Sequence, residues 1–196
     1  MLSKLYFRAK LTKKAPVNKI IQLRDKTFHL YIESGEIDRA IARLARQINE
    51  EAKDERPLFL SVLNGAFMFT SDLLKEITVE GAEVAFIRLA SYAGTASTGE
   101  VRELVGLTDD VAGRSVIILE DIVDTGRSIA HLLDLLSPRR PARVRVAALF
   151  HKPGALEYSV TVDYPGIVLE NDFVVGRGLD YDGLGRNLRD LYALAP

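Results

Sequence analysis

The sequence predicts an α/β fold in which a central, mainly parallel β-sheet is flanked by helices. Short apolar runs alternate along the chain with longer segments whose apolar residues recur at helical spacing. Several of the short runs are rich in β-branched residues, as in the stretch Ser-Val-Ile-Ile-Leu over 115–119. This alternation is typical of βαβ units, whose crossover helices cover both faces of the sheet. The 196 residues suit one domain of this class.

Helical spacing is clearest in the segment 35–53. Its apolar side chains recur at i, i+3 and i+4, which predicts one buried face. Ser34 precedes this segment and is the expected N-cap. Two further segments, 67–77 and 128–136, also predict helices. The residues predicted for the buried face of the first helix are Ile37, Ala40, Ile41, Leu44, Ala45 and Ile48.

Six apolar runs predict the strands of the sheet. In open sheets of this kind, ligands bind beyond the carboxyl ends of the strands. We therefore expect the functional residues to follow these runs. The predicted strands are 58–63, 83–89, 115–119, 144–150, 166–169 and 173–175.

Composition excludes several classes of site. The chain has no cysteine, which excludes disulfides, thiolate zinc sites, iron–sulfur clusters and cysteine nucleophiles. It also fits a reducing compartment, and we expect a cytoplasmic location. Lys and Arg number 26 against 27 Asp and Glu, a net charge of −1 that argues against nucleic acid as a partner. No apolar run approaches the roughly 20 residues of a membrane helix, so we expect no membrane partner.

The first 20 residues carry six basic side chains and no acidic one. Such a start is weakly similar to an organelle transit peptide. Charge-biased chain ends are common, which favours a solvated basic arm in front of the domain. The six side chains are Lys4, Arg8, Lys10, Lys13, Lys14 and Lys19.

The segment after the strand 115–119 has the composition of a phosphate-binding loop. Gly126 allows a tight turn and a close approach to a ligand, while Thr125 and Ser128 offer hydroxyl groups. The free backbone N–H groups at the start of the following helix form an anion site. The segment is not a Walker A loop, because the G-x-x-x-x-G-K-[ST] pattern is absent.

Three carboxylates crowd this same loop. Glu120, Asp121 and Asp124 would repel a bound phosphate unless something offsets their charge. A divalent cation, sugar hydroxyls or a proton-accepting role would each do so. Together these residues indicate a ligand with a phosphate, a diol and Mg²⁺.

The stretch Glu-Asp-Ile-Val-Asp-Thr-Gly-Arg-Ser behind Val-Ile-Ile-Leu resembles the phosphoribosyl-pyrophosphate signature of the type I phosphoribosyltransferases. From about residue 26 to 191 the chain is similar to the 6-oxopurine (hypoxanthine-guanine) branch of that family. The resemblance implies the type I phosphoribosyltransferase fold, with a small hood formed by the N- and C-terminal segments. It implies a basic arm and hood at 1–25, a core at 26–169 and a C-terminal hood contribution at 170–196.

The resemblance also implies roles in the phosphate loop. Glu120 and Asp121 match residues that contact the ribose hydroxyls, in part through Mg²⁺. Asp124 matches the acid placed near purine N7 as the general base. The residues that match the loop around the 5′-phosphate are Thr125, Gly126, Arg127 and Ser128.

On the pyrophosphate side, Leu63, Asn64 and Gly65 resemble the short loop that grips pyrophosphate, where the family often has a cis peptide. Asp180 matches a contact to Mg²⁺ and pyrophosphate, so the implied metal residues are Glu120, Asp121 and Asp180. Arg186 matches a cation that faces the departing pyrophosphate. Ser91 and Tyr92, followed by small residues, resemble the start of a loop that closes over the reaction.

On the purine side, Lys152 matches the lysine that donates to the exocyclic O6. Phe173 matches the aromatic residue that stacks on the base, and the backbone of Val174 matches the contact that reads N2 of guanine. An ammonium offers donors only, which suits a 6-oxo group and mismatches the 6-amino group of adenine.

The implied reaction transfers 5-phosphoribosyl from phosphoribosyl pyrophosphate to N9 of hypoxanthine or guanine. The products are IMP or GMP and pyrophosphate, and the cofactor is Mg²⁺. A homodimer or homotetramer is expected by resemblance. Two alternatives stay open: a phosphoribosyltransferase for xanthine or adenine, and a nucleotide-sensing regulator built on the same fold.

Overall fold

The fold is described from a computed structural model, in which residues 19–91, 101–105 and 110–196 are described. These residues form two β-sheets, three α-helices and two short 3-10 helices. The strands are β1 (Ile20–Leu23), β2 (Lys26–Ile32), β3 (Leu58–Leu63), β4 (Glu83–Ser91), β5 (Val101–Val105), β6 (Ser115–Val123), β7 (Arg143–His151), β8 (Tyr164–Val168), β9 (Val174–Val175) and β10 (Leu191–Leu194). The helices are α1 (Ser34–Glu51), α2 (Phe67–Glu76) and α3 (Arg127–Leu136), with 3-10 turns at Ser137–Arg139 and Pro153–Ala155.

The larger sheet has six strands in the order β5-β4-β3-β6-β7-β8. Five of them run parallel, and β5 pairs antiparallel with β4 at one edge. β3 and β6 lie at the centre and are almost wholly buried, as a parallel sheet covered on both faces requires. The carboxyl ends of β3, β6 and β7 therefore meet at one edge of the sheet.

Helices cover both faces of this sheet. α1 and α2 pack on one face around Phe59, Ile117 and Leu149. α3 packs on the other face through Ile129, Leu132 and Leu136. All six residues predicted for the buried face of α1 are buried. The expected α/β class, with a mainly parallel sheet between helices, is confirmed.

The second sheet has four strands in the order β1-β2-β10-β9, all paired antiparallel. It brings residues from near both ends of the chain together, and Phe28, Val175 and Tyr192 form its small core. The divisions at residues 25/26 and 169/170 stay predictions. Of the predicted basic arm and hood at 1–25, residues 1–18 fall outside the described residues.

Two predictions about element boundaries are wrong. The N-cap of α1 is Glu33, not Ser34, and Ser34 is the first helical residue. The backbone N–H of Ser34 donates to Oδ1 of Asp190 at 2.8 Å. A carboxylate from the far end of the chain thus supplies the capping acceptor, which local sequence cannot reveal.

The central strand is also longer than predicted. β6 continues to Val123, because its pairing with β7 continues from Glu120 to the Val123–His151 pair. Glu120 and Asp121 therefore lie on the strand and not in the loop. The other predicted strands and helices exist with ends shifted by a few residues. The prediction omitted β1, β2, β5 and β10.

In the part of the chain that the structure describes, no helix is long and apolar enough to cross a bilayer.

Candidate active site

The turn between β6 and α3 is shaped around a glycine. Gly126 is the N-cap of α3 and has a φ of +83°, a left-handed conformation that side chains disfavour. A Cβ atom there would lie 2.9 Å from Cγ2 of Val160 and 3.3 Å from the carbonyl oxygen of Tyr158. Only glycine therefore fits this turn. The N–H of Arg127 lies 3.4 Å from Oγ1 of Thr125, and Arg127 and Ser128 are exposed at the start of α3, where backbone N–H groups can bind an anion.

A segment distant in sequence supports this turn from behind. The carbonyl oxygen of Thr125 accepts hydrogen bonds from the N–H groups of Glu157, at 2.9 Å, and Tyr158, at 3.0 Å. The guanidinium of Arg127 lies 5.7 Å from the ring centre of Tyr158. The sequence analysis did not single out Glu157 or Tyr158, since nothing local connects residues about thirty positions apart.

Two buried carboxylates precede the turn. Glu120 and Asp121 are each 8% exposed. Oε2 of Glu120 is buried and has no hydrogen-bond partner. Asp121 lies directly against Gly65 from the β3 end, where any Cβ atom would collide with its carboxylate. The structure thus places Gly65 and Asp121 in contact, as the proximity of the two strand ends requires.

The pKa values of both carboxyls are raised. Burial raises the pKa of Glu120 well above its usual value, and the charge of Asp121 raises it further. Burial raises the pKa of Asp121 to about 6, even though backbone N–H groups and Arg186 lower it in part. A cation close to the two carboxyls would therefore stabilise their charged forms.

The residues predicted to contact pyrophosphate lie close to Asp121. The Leu63–Asn64 peptide bond is cis. Gly178 lies so close to Gly65 that a Cβ atom on Gly178 would collide with the Gly65 carbonyl. Arg186 donates from Nη1 to the carbonyl oxygen of Gly178 at 2.7 Å. The structure therefore brings the 63–65 loop, Asp121 and the 178–186 segment together.

Within this segment, Arg186 and Asp180 form an ion pair with Nη2 and Oδ1 2.5 Å apart. The other carboxylate oxygen of Asp180 accepts from the N–H of Gly183 at 2.7 Å. Both side chains are about 30% exposed, so each keeps a surface for a ligand.

On the purine side, Nζ of Lys152 lies 2.9 Å from Oδ2 of Asp124. Lys152 is buried, while Asp124 is about half exposed. The backbone N–H of Lys152 donates to the carbonyl oxygen of Val123 at 2.9 Å, which fixes the end of β7 beside the end of β6. The lysine predicted to bind the purine and the predicted general base are thus in direct contact.

Phe173 belongs to a cluster of three rings. Its ring centre lies 6.0 Å from that of Tyr181, edge to face at 86°, and 6.3 Å from that of Phe28. Phe173 is 46% exposed, so its ring keeps a free surface. Val174 is buried and pairs with Ala193. The sequence analysis did not single out Tyr181 as a site residue; its position next to Asp180 was the available signal.

The described residues do not test the loop that was predicted to begin at Ser91 and Tyr92. Ser91 is the last residue of β4. Tyr92 lies outside the described residues, so the predicted closing loop stays a prediction.

The carboxylates fit Mg²⁺, but only in part. Among the described residues, no three His, Asp or Glu side chains gather closely enough to hold a metal ion alone. Mg²⁺ commonly keeps several waters and binds through one or two carboxylates plus substrate phosphates. The buried, unpartnered Oε2 of Glu120 and the neighbouring Asp121 carboxylate supply hard oxygen donors of that kind.

Comparisons with known proteins identify the family of this chain. The sequence profile described as "Phosphoribosyl transferase domain" matches residues 32–182. A hypoxanthine-guanine-xanthine phosphoribosyltransferase of Tritrichomonas foetus is 38% identical over 167 residues, which cover 85% of this chain and 91% of that protein. A hypoxanthine-guanine phosphoribosyltransferase of Streptococcus pyogenes is 37% identical over 160 residues, covering 81% and 88%.

One relative is much longer. The bifunctional protein TilS/HprT of Listeria innocua is 40% identical over 166 residues, 84% of this chain, but the match spans only 26% of that protein.

Among solved structures, a hypoxanthine phosphoribosyltransferase of Staphylococcus aureus superposes with a TM-score of 0.81 at 31% identity, covering 86% of this chain and 91% of that one. The profile match covers most of the chain, and the Tritrichomonas, Streptococcus and Staphylococcus proteins are each matched over 88% or more of their length. The chain belongs to the phosphoribosyltransferase family and is similar to its hypoxanthine-guanine members.

Proposed function

We propose that this protein transfers the 5-phosphoribosyl group of phosphoribosyl pyrophosphate to N9 of hypoxanthine or guanine in purine salvage. The observation that carries the proposal is the contact between Lys152 and Asp124 beside the glycine-capped turn. It joins a donor and an acceptor for a purine to an anion site for a 5′-phosphate. IMP or GMP and pyrophosphate are the proposed products.

Binding of the sugar phosphate follows from the turn. The 5′-phosphate accepts hydrogen bonds from the N–H groups at the start of α3 and from the hydroxyls of Thr125 and Ser128. Glu120 and Asp121 take the 2′- and 3′-hydroxyls of the ribose. Since both carboxyls are buried, they are held in place before the substrate arrives.

Recognition of the base follows from the Lys152–Asp124 pair. Lys152 donates a hydrogen bond to O6 of a 6-oxopurine, and its ammonium repels the donor hydrogens of a 6-amino group. Asp124, half exposed and hydrogen-bonded to Lys152, accepts the proton that the purine loses. The free surface of Phe173 stacks on the ring, and the backbone of Val174 contacts the N2 edge of guanine.

The leaving group lies on the other side of the ribose. Leu63, Asn64 and Gly65 contact the pyrophosphate, while Arg186 stabilises the charge that develops on it. Positive charge develops at C1′ and the ring oxygen, as in glycoside chemistry. When bound, Mg²⁺ neutralises the departing pyrophosphate, and Glu120, Asp121 and Asp180 are the residues that would hold it.

A single assay tests the proposal. Purified protein is mixed with phosphoribosyl pyrophosphate, Mg²⁺ and one base, and released pyrophosphate is measured. We expect faster turnover with hypoxanthine and guanine than with adenine or xanthine. Faster turnover of adenine or xanthine would change the substrate assignment. Binding of RNA or DNA without any pyrophosphate release would instead favour the nucleotide-sensing regulator.

We also propose that the protein assembles as a homodimer or homotetramer. Val84 and Phe86 on β4 are 43% and 44% exposed, which leaves large apolar side chains on the sheet uncovered. A solved structure of the Trypanosoma cruzi hypoxanthine phosphoribosyl transferase concerns the role of the C-terminal region in oligomeric state and activity; it matches at 33% identity and a TM-score of 0.79. The cytoplasmic location, the domain divisions and a closing loop from Ser91 and Tyr92 stay predictions.

A further inference from the structure

Arg177 occupies an unusual place between two parts of the site. It has a φ of +53°, and its neighbours Gly176 and Gly178 have φ values of +109° and +106°. Three consecutive residues in the left-handed half of φ space form a sharp turn, and an arginine enters this conformation at a cost that glycine avoids. The Arg177 side chain is nevertheless buried, with only 4% of its surface exposed.

Two helices supply the partners of this buried guanidinium. Nη2 pairs with Oδ1 of Asp38 on α1, and Nη1 lies 3.2 Å from Oδ2 of Asp72 on α2. Nε is buried without a partner. Arg177 thus fastens the turn to both helices that cover one face of the larger sheet.

The chain on the two sides of Arg177 is held differently. Before it, Val174 and Val175 pair with β10, so the purine-side backbone is fixed by sheet hydrogen bonds. After it, the 178–186 segment lies outside the named strands and contains the Tyr181–Leu184 bridge, with a Gly176–Leu179 bridge at its start. Side-chain contacts also hold it, since Tyr181 donates to Asp25 and packs against Phe173. Arg177 therefore anchors the start of the pyrophosphate-side segment to α1 and α2.

The position of Arg177 affects the pyrophosphate side through the next residue, Gly178. Gly178 follows Arg177, lies against the Gly65 carbonyl and receives the hydrogen bond of Arg186. A small movement of Arg177 would shift Gly178 away from Gly65 and move Arg186 and Asp180 with it. The tight packing of two glycine backbones leaves no room for compensation.

Stability alone does not account for the buried charge. Only the arginine end of these pairs is fully buried, since the side chains of Asp38 and Asp72 are 51% and 29% exposed, and the hydration that the guanidinium loses offsets much of what the pairs gain. A buried guanidinium that spans two carboxylates instead fixes the orientation of the turn that carries it, since its planar fork sets the geometry of both bonds.

We propose that Arg177 is a positioning residue for the leaving pyrophosphate: through Asp38 and Asp72 it sets Gly178 against Gly65 and so places Arg186. The inference rests on the proposed function, because that function assigns pyrophosphate to this side. It requires that loss of Arg177 weakens binding of the pyrophosphate moiety and leaves binding of the base nearly unchanged.

The test compares Arg177→Met with Arg145→Met. Arg145 is also a buried arginine with a carboxylate partner, Glu55, but it lies near the start of β7, at the opposite end of the sheet. We expect Arg177→Met to raise the KM for phosphoribosyl pyrophosphate at least tenfold while the KM for guanine changes less than threefold. Arg145→Met should lower the melting temperature and leave both KM values unchanged.

Four further variants keep the test decisive. Asp38→Asn and Asp72→Asn leave the arginine in place, and their double variant should raise the same KM if Arg177→Met does not fold. Arg177→Lys should restore only part of the loss, because one ammonium cannot form the two-sided fork. A KM for phosphoribosyl pyrophosphate that stays unchanged in the soluble variants, or a KM for guanine that rises equally, would overturn the inference.

A binding measurement separates this inference from the proposed function. Pyrophosphate with Mg²⁺ is titrated into the wild-type protein and each variant by calorimetry. Absence of turnover in the wild-type protein would refute the proposed function. In the same experiment, weaker pyrophosphate binding in Arg177→Met than in Arg145→Met would still support the inference, and equal binding in the two variants would refute it.

Discussion

Lys152 and Asp124 form an ion pair with 2.9 Å between Nζ and Oδ2, although they are 28 residues apart in the sequence. Each sits just beyond the carboxyl end of a neighbouring strand, β7 for Lys152 and β6 for Asp124. The parallel pairing of Val123 with His151 brings the two positions side by side. The sheet register therefore sets the distance between the proposed base-recognising cation and the proposed proton acceptor.

Lys152→Met should remove the preference for 6-oxopurines. The methionine fills a similar volume but offers no donor to O6, and loss of a charged hydrogen bond costs about 1.5–3 kcal/mol. We expect kcat/KM for guanine and hypoxanthine to fall by about 10- to 100-fold, with the KM for phosphoribosyl pyrophosphate almost unchanged. Steady-state kinetics with each base checks this result.

The matched control is Lys53→Met, which removes an exposed lysine just after α1. Its kinetics should equal those of the wild-type protein. If Lys152→Met retained full discrimination between guanine and adenine, the recognition role of Lys152 would be wrong.

Asp124→Asn should separate turnover from binding. Asparagine keeps the size of the side chain but cannot accept a proton, and general base catalysis contributes about 10²- to 10⁴-fold. We expect kcat to fall within that range, while the affinity for phosphoribosyl pyrophosphate changes by less than about threefold, a free-energy change under about 1 kcal/mol. Pre-steady-state turnover and calorimetric binding measure the two quantities, and unchanged turnover would remove the proposed base role.

The sequence contains the local part of this site. The glycine-capped turn, its hydroxyls and its acids are contiguous over 120–128, so their composition predicts both an anion site and the strand and helix around it. The buried face of α1 is equally local, because helical periodicity places its six residues together.

The remaining features depend on contacts between distant segments. The acceptor for the first N–H of α1 is Asp190, 156 residues away, and β2 pairs with β10 from the other end of the chain. The extension of β6 depends on its pairing with β7. None of these contacts leaves a periodic or compositional signal within one segment, which is why the sequence analysis did not find them.

Gly65→Ala should disrupt the pyrophosphate loop. An added Cβ atom would collide with the carboxylate of Asp121, which is buried and held on β6. Overpacking of this kind costs about 1–3 kcal/mol. We expect a lower free energy of unfolding by about that amount and a large rise in the KM for phosphoribosyl pyrophosphate, measured by urea unfolding and steady-state kinetics.

The same substitution in a helix serves as the control. A Cβ atom on Gly35 of α1 would have Arg39 Nη1 as its nearest neighbour, at 3.7 Å. Gly35→Ala should therefore be neutral or stabilise the protein by up to about 1 kcal/mol, because alanine favours helix more than glycine does. Equal effects of the two substitutions would show that Gly65 has no special contact.

Asp121→Asn should stabilise the free protein at neutral and higher pH. Burial raises the pKa of Asp121 from its ordinary value of 3.8 to about 6. A raised carboxyl pKa means that the folded state favours the protonated form, so this contribution to stability is full below pH 3.8 and is lost as the pH rises through about 6. Asparagine stays neutral at every pH and avoids the loss.

Urea unfolding at about pH 4, about pH 6 and about pH 8 measures the effect. The difference in unfolding free energy between Asp121→Asn and the wild-type protein should be small at the lowest pH and reach about 1–3 kcal/mol at the highest. Asp134→Asn, an exposed substitution on α3, is the control variant measured at the same three pH values. Added Mg²⁺ and phosphoribosyl pyrophosphate should stabilise the wild-type protein more than Asp121→Asn, because a bound cation would offset the charge of the buried carboxylate, which the variant lacks. A difference that stays constant with pH would mean that Asp121 titrates normally in the folded protein.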